Sequence, residues 1–385
     1  MHPPITLLCA LALLAGRAPA QETHLVPQQH ATIQEAIEAA ANGDTILVSS
    51  GTYAEAVVAK GFTGLVLKAK GKVVIDPPDG FAALTLDGCT DCTVQKVRVT
   101  GATDGIVLQG CTGGQILKCR VDGGSDNGIT LEGCTGVLVE KCTLKETGDV
   151  GIGVGTLSGT ASDNCTVLKC RVFEAGADGI ELNGDDNTIE KNLVVGGEDD
   201  GIRTVSLSSP TGNTFTSNRV IKPHNHGFRI TGVDNELFAN RVVKPGSNGI
   251  QLSDGSGHVV DSCKVVKAEE DGLFGLESAT GVTVTDCTFR KPGINGMDID
   301  GDDAVVTGNI TTGAGDNGYA VIGDDGTWTD NLAKGSGSDG FEVSGAGNTL
   351  TFNTAKGSKA GFDLNDLSGG ANTIDDSNDF GTESP

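Results

Sequence analysis

The chain has 385 residues, with 27 basic and 51 acidic side chains and a formal net charge of -24. A field of that sign excludes nucleic acid and anionic membrane surfaces as partners for the molecule as a whole. Aromatic residues make up only 4% while glycines number 58, a balance that favours many tight turns over broad helical packing.

In chain order, residues 1–20 come first, with an apolar run from Ile5 to Ala15 and a small-residue exit at Ala18-Pro19-Ala20. This pattern predicts a signal cleaved after Ala20 and a secreted or periplasmic protein. The run is too short to span a bilayer, and Leu8 before Cys9 lacks the small residue of a lipoprotein signal. No other stretch could cross a membrane, so no integral membrane association is expected. Residues 21–78 precede the repeat as an N-terminal cap and first coils, and include the segments Ala31 to Ala41, Asn42 to Val48 and Gly51 to Tyr53.

Residues 79–374 are dominated by a repeat: a polar residue, Gly, an apolar residue, any residue, and another apolar residue. Copies include Asp104-Gly105-Ile106, Asn127-Gly128-Ile129, Asp178-Gly179-Ile180, Asp200-Gly201-Ile202, His226-Gly227-Phe228 and Asn248-Gly249-Ile250. They continue through Gly272, Gly296, Gly318 and Gly340, with degenerate copies at Gly80, Gly151 and Gly361. The spacing averages about 23 residues, a solenoid period. Nine residues before most of these glycines stands a column of Cys119, Cys142, Cys170, Asn192, Asn218, Asn240, Cys263, Cys287, Asn309 and Asn331. Length variation therefore falls between each glycine and the next Cys or Asn, and the longest insertions, Gly155 to Asp163 and Val205 to Thr211, should form loops on one side.

Short β-rich runs at this period, without a helical stripe or leucine-rich-repeat spacing, predict three strands per coil stacked in parallel. The expected fold class is all-β: a single-stranded right-handed parallel β-helix of 12–13 coils, a rod on the order of 60 Å long. Residues 375–385 are left as a C-terminal tail.

The segment Ala31 to Ala41, with Asn42-Gly43-Asp44-Thr45 and Gly51-Thr52-Tyr53 after it, resembles the opening of the pectate-lyase-like superfamily of β-helices. That resemblance spans essentially all of the chain after residue 20. It implies an N-terminal amphipathic helix capping the open end of the rod, and it is specific for fold rather than activity.

Ten cysteines follow the signal, most of them on ladders such as Cys89, Cys111 and Cys134. Secretion permits disulfides, but the alternation of Cys with Asn on one ladder fits reduced, inward-pointing side chains better. By the same counting, His258 stands above Asn235, Asn213 and Asn187, a structural turn position. No His shares the Cys ladders, and neither an EF-hand loop nor a Ca²⁺-binding nonapeptide array is present, so neither metal nor cofactor is expected; Ca²⁺ has no motif behind it.

Chemistry is expected in the middle coils. The outward column of the Gly-apolar strand reads Val107, Thr130, Gly153, Glu181, Arg203, Arg229, Gln251, Phe274, Asp298. Further basic ladders run through Arg171, Arg219, Arg241 and Lys264, and through Lys222, Lys244, Lys267 and Lys291. Arg203, Arg229, Lys222, His224, Arg219 and Arg241 are accordingly the candidate ligands of an acidic polysaccharide. Asp178, Asp199-Asp200 and His226 lie just before successive glycines and resemble the three-coil constellation of polygalacturonases. The resemblance implies that Asp178 protonates the leaving oxygen, Asp199 and Asp200 activate water in an inverting hydrolysis, and His226 tunes the acid.

The match departs from that family where Asn225, not Gly, precedes His226, and where Gly249-Ile250-Gln251 replaces a basic strand. Asp or Asn also fills the position before the glycine in nine of twelve coils from Gly105 to Gly361, so turn chemistry explains much of it. Two alternatives stay open. One is β-elimination or C5-epimerisation of a uronate by Lys222, His224, His226, Arg203 and Arg229. The other is a noncatalytic structural or adhesive rod.

Overall fold

The computed structural model describes residues 21–155, 160–205 and 209–381. The expected signal segment lies outside the described residues, as do parts of both long insertions. Among the described residues no helix is long and apolar enough to cross a membrane.

Each coil contributes two short strands to a sheet of 29 strands and a third to a sheet of 14, and the pairings between coils are parallel. The 14-stranded sheet holds one strand per coil, so the rod has more coils than the glycine motif counts. One further coil is marked by Val57–Lys60, which pairs with Leu84–Asp87 and carries no glycine signature. Two degenerate copies are also out of register. Leu84 pairs with Ile106, and Phe341 with Leu364, so the column positions are Ala83 and Asp363 rather than Gly80 and Gly361.

Alternation buries the central residue of each three-residue strand in the larger sheet and the first and third in the smaller one, and in-register pairing stacks these residues into ladders. Val172, Val194, Val220 and Val242 form one such ladder, and Ile152, Ile180 and Ile202 another. The repeated glycine is required where the two meet. A Cβ at Gly201 would stand 2.2 Å from Val220 Cγ1 and 2.7 Å from Gly227 O. Close approach therefore selects glycine there, not a left-handed turn.

The left-handed corners fall to other residues. Lys118, Lys141, Lys169 and Lys191 turn the chain at φ of 54 to 56°, and Lys222, Lys244, Lys267 and Lys291 do so at the end of the next strand with φ of 53 to 58°. A non-glycine residue is strained there, yet the corner leaves the side chains of the second set exposed.

Inside, the Cys and Asn column interlocks. Asn192 N–H and Nδ2 both donate to Asn218 Oδ1 at 3.0 Å, and Cys170 N–H donates to Asn192 Oδ1 at 2.8 Å. All ten cysteines from Cys89 to Cys287 are buried and unbridged, as the alternation with Asn implies. His258 is likewise buried, with Nε2 3.0 Å from Asp254 O.

The cap follows the expectation. Helix Ile33–Ala39 starts at Thr32, whose Oγ1 accepts the Glu35 N–H at 3.1 Å, and Ile33, Ala36 and Ile37 are buried against the core. At the other end, the segment set apart as a tail continues the solenoid. Strand Asp379–Phe380 pairs with Thr354–Lys356, and the Phe380 ring meets that of Phe341 at 5.5 Å.

Candidate functional site

Three neighbouring strands of the smaller sheet, Ile180–Leu182, Ile202–Thr204 and Phe228–Ile230, pair so that Glu181, Arg203 and Arg229 lie above one another. The outward column continues through Gln251 and Phe274 to Asp298, as the sequence implied. Two residues before each strand, Asp178, Asp200 and His226 form a second column.

That column is first a backbone device. Asp178 Oδ1 accepts the Asp200 N–H at 2.9 Å, Asp200 Oδ1 accepts the His226 N–H at 2.9 Å, and His226 Nδ1 accepts the Asn248 N–H at 3.3 Å. Asn248 and Asp271 extend it upward. With Nδ1 accepting, neutral His226 carries its proton on Nε2, so it faces the site as a donor and not as a base.

What the ladder leaves over is unusual. Asp178 and Asp200 are 2% and 0% exposed, and Asp200 Oδ2 has no hydrogen-bond partner. Asp199 reaches solvent at 40% exposure, with Oδ1 bonded to Asn225 Nδ2 at 3.1 Å. Arg203 Nη1 spans Asp178 Oδ2 at 3.4 Å and Asp199 Oδ2 at 3.7 Å. Burial, and then the charge of Asp200, pushes the Asp178 carboxyl up to about 7, against the pull of Arg203. Burial raises Asp200 to about 6, opposed by the His226 N–H. Burial, with Arg229 next, depresses His226 to about 4, so it is neutral at pH 7.

The oxygens of Asp178, Asp199 and Asp200 lie within 4.8 Å of one another, the one such three-ligand group among the described residues. The site thus has the donor set for a hard cation, though the Arg203 guanidinium already faces two of its members.

Lys222 and His224 line an open groove of about 490 Å³ together with Pro223, Lys244, Gly246 and Glu269. Arg219 and Arg241 are stacked and exposed as expected, but on the other sheet and outside that groove. Arg229 is half-buried and makes no ion pair with another described residue.

A second acidic group went unrecognised in the sequence. Asp298 is pushed up to about 7 by burial and by Asp271 and Asp300, and Asn295 Nδ2 donates to its Oδ2 at 3.0 Å. Its one signal was the carboxylate ending the outward column, four coils and roughly 19 Å from Arg203.

The family model described as a right handed beta helix region matches residues 79–220 and 226–379. The chain belongs to the right-handed β-helix family. Comparison with curated proteins finds no match.

Several solved structures share this β-helix. The receptor-binding protein of bacteriophage Det7, a podoviral tailspike in a myovirus, is 14% identical at a TM-score of 0.61, covering 86% of this chain and 76% of its own. A mannuronic acid specific polysaccharide family 6 lyase from human gut microbiota is 13% identical at 0.59, covering 95% and 92%. A surface adhesin of Streptococcus pneumoniae is 14% identical at 0.53, covering 83% and 88%. At such identities the likeness establishes the fold.

Proposed function

We propose that this β-helix is a secreted protein that binds an acidic, uronate-containing polysaccharide across the face centred on Arg203 and Arg229 and acts on its glycosidic linkages. The observation that carries the reading is the loose clamp of Arg203 on Asp178 and Asp199, at 3.4 and 3.7 Å, beside Arg229, which has no ion-pair partner among the described residues. Charge-assisted pairs normally close to about 2.7–2.9 Å. A sugar carboxylate can therefore draw Arg203 outward at little cost, uncovering Asp178, which is protonated near neutrality. Asp178 then protonates the leaving oxygen, and exposed Asp199 activates the water that displaces it at the anomeric carbon. Buried Asp200 acts through its charge, holding the proton on Asp178. His226 donates Nε2–H, and Lys222, His224 and Lys244 carry the polymer along the groove. The mannuronic acid specific polysaccharide lyase among the similar folds favours a glycan partner for such a face.

A second reading is favoured by burial. Asp178 and Asp200 are sealed at 2% and 0% exposure, which suits a noncatalytic adhesive rod whose cations alone meet the glycan. The deciding experiment incubates purified protein with polygalacturonate, alginate and chondroitin, following reducing ends and unsaturated-uronate absorbance, with binding measured alongside. Reducing ends without absorbance uphold the hydrolytic reading, and absorbance transfers the site to β-elimination with Arg229 neutralising the carboxylate. Binding without turnover establishes the adhesive rod.

A further inference from the structure

The N-terminal end of the rod holds a histidine pair outside the polysaccharide face. Strand Thr23–Val26 pairs with Thr45–Tyr53, setting His24 in register with buried Ile46 on the inward side. An inward imidazole at 8% exposure must satisfy both ring nitrogens, and it does so in an ordered way. His24 Nε2 lies 3.1 Å from Asp44 Oδ2. Asp44 in turn accepts the Ala41 N–H on Oδ2 and the Glu22 N–H on Oδ1, each at 2.8 Å. A carboxylate so held is an acceptor only, so the proton of neutral His24 resides on Nε2. Its Nδ1 lone pair is then directed at His30 Nε2, 3.2 Å away, with ring centroids 5.2 Å apart and planes tilted by 49°.

We propose that His24 Nδ1 and His30 Nε2 form a Zn²⁺ site that clasps the cap, with Asp44 as the carboxylate that orients His24 and water completing the coordination. Two imidazole nitrogens at about 2.0–2.1 Å from one tetrahedral ion lie about 3.3 Å apart, close to the observed 3.2 Å, and the ion takes the place of the proton that His30 Nε2 donates to His24 Nδ1. A ligating histidine that donates its other N–H to a backbone-anchored carboxylate is the usual support of a zinc centre. No spaced motif marks the site, because its ligands come from the first strand and from the segment entering helix Ile33–Ala39. The metal would join those two pieces, fastening the lid over the first coil. The inference is independent of the polysaccharide reading.

The test uses the full purified protein, stripped with a chelator and titrated with zinc alone by calorimetry, followed by thermal unfolding. One equivalent is expected to bind and to raise the melting temperature. Co²⁺ at the same site should show the intense visible absorption of a tetrahedral ion. His30→Gln, at a partly exposed position, should keep the fold while lowering affinity at least tenfold and abolishing the thermal shift. A double Asp178→Asn, Asp200→Asn variant should bind zinc as the wild type does. Absence of heat and shift in millimolar zinc overturns the proposal, as does full binding by His30→Gln or loss of binding in the aspartate double variant.

Discussion

Asp200 has a folded-state pKa of about 6 against 3.8 for an ordinary aspartate, because it is fully buried with one oxygen unpartnered. The native state therefore holds this proton more tightly than the unfolded chain does. Its contribution to stability is complete below about pH 4 and is lost as pH rises through 6. Two pKa units at about 1.4 kcal/mol each put the loss at roughly 3 kcal/mol. Asn at this position keeps Oδ1 for the His226 N–H and carries no charge, and Asn already occupies the column at Asn127, Asn248, Asn295 and Asn317. Asp200→Asn should therefore melt about 4 °C higher than wild type at pH 8, given the unfolding entropy of a chain of this size. The gain should nearly vanish at pH 4. Circular dichroism melts at the two pH values measure it. A variant that melts below wild type at pH 8, or that gains equally at pH 4, refutes the account of Asp200 as a buried, strained charge.

Turnover of a uronate polymer should fall as pH rises through about 7, where Asp178 gives up its proton, and Asp200→Asn should move that limb to lower pH by removing a charge that raises Asp178; an unmoved limb in a pH–rate profile excludes the coupling. Gly201→Ala should cost about 1–3 kcal/mol or more by driving a methyl into Val220 and Gly227, and an unchanged urea midpoint would contradict the packing. Arg229→Gln should weaken polymer binding at least tenfold in low salt and less in high salt, read by calorimetry. Thiol reagent should modify none of the ten cysteines from Cys89 to Cys287 until the chain is unfolded.

The coil was legible because stacking imposes one period on every column, so counting from a glycine located Arg203 above Glu181 and beneath Arg229 before any coordinates. Counting failed where the period frayed. At the ends of the rod, Ala83 and Asp363 take the column place without a glycine, so Gly80 and Gly361 misled. The site was legible as a list and not as a geometry. Periodicity put Asp178, Asp200 and His226 on adjacent coils, but the depth of a side chain before a strand depends on which oxygen bonds the next backbone N–H. That bond buries Asp178 and Asp200 while Asp199, one residue away, reaches solvent. Asp298 escaped notice for the converse reason. Its environment joins Asp300, two residues on, to Asp271 from the neighbouring coil, and the local sequence announces only the first of these.

The column of Asp178, Asp200 and His226 also limits what evolution can write there. Each member must offer an acceptor to the backbone of the coil above and keep another polar atom to face outward. Ser, Lys and Arg lack that two-headed shape. Asp, Asn and His fill this address on most coils, with Val150 a departure from the rule, and within that set one substitution exchanges an ionisable group for a neutral one that keeps the same acceptor. A rod built on such a rule can gain, lose or relocate a buried carboxyl one letter at a time, with its stacking left in place.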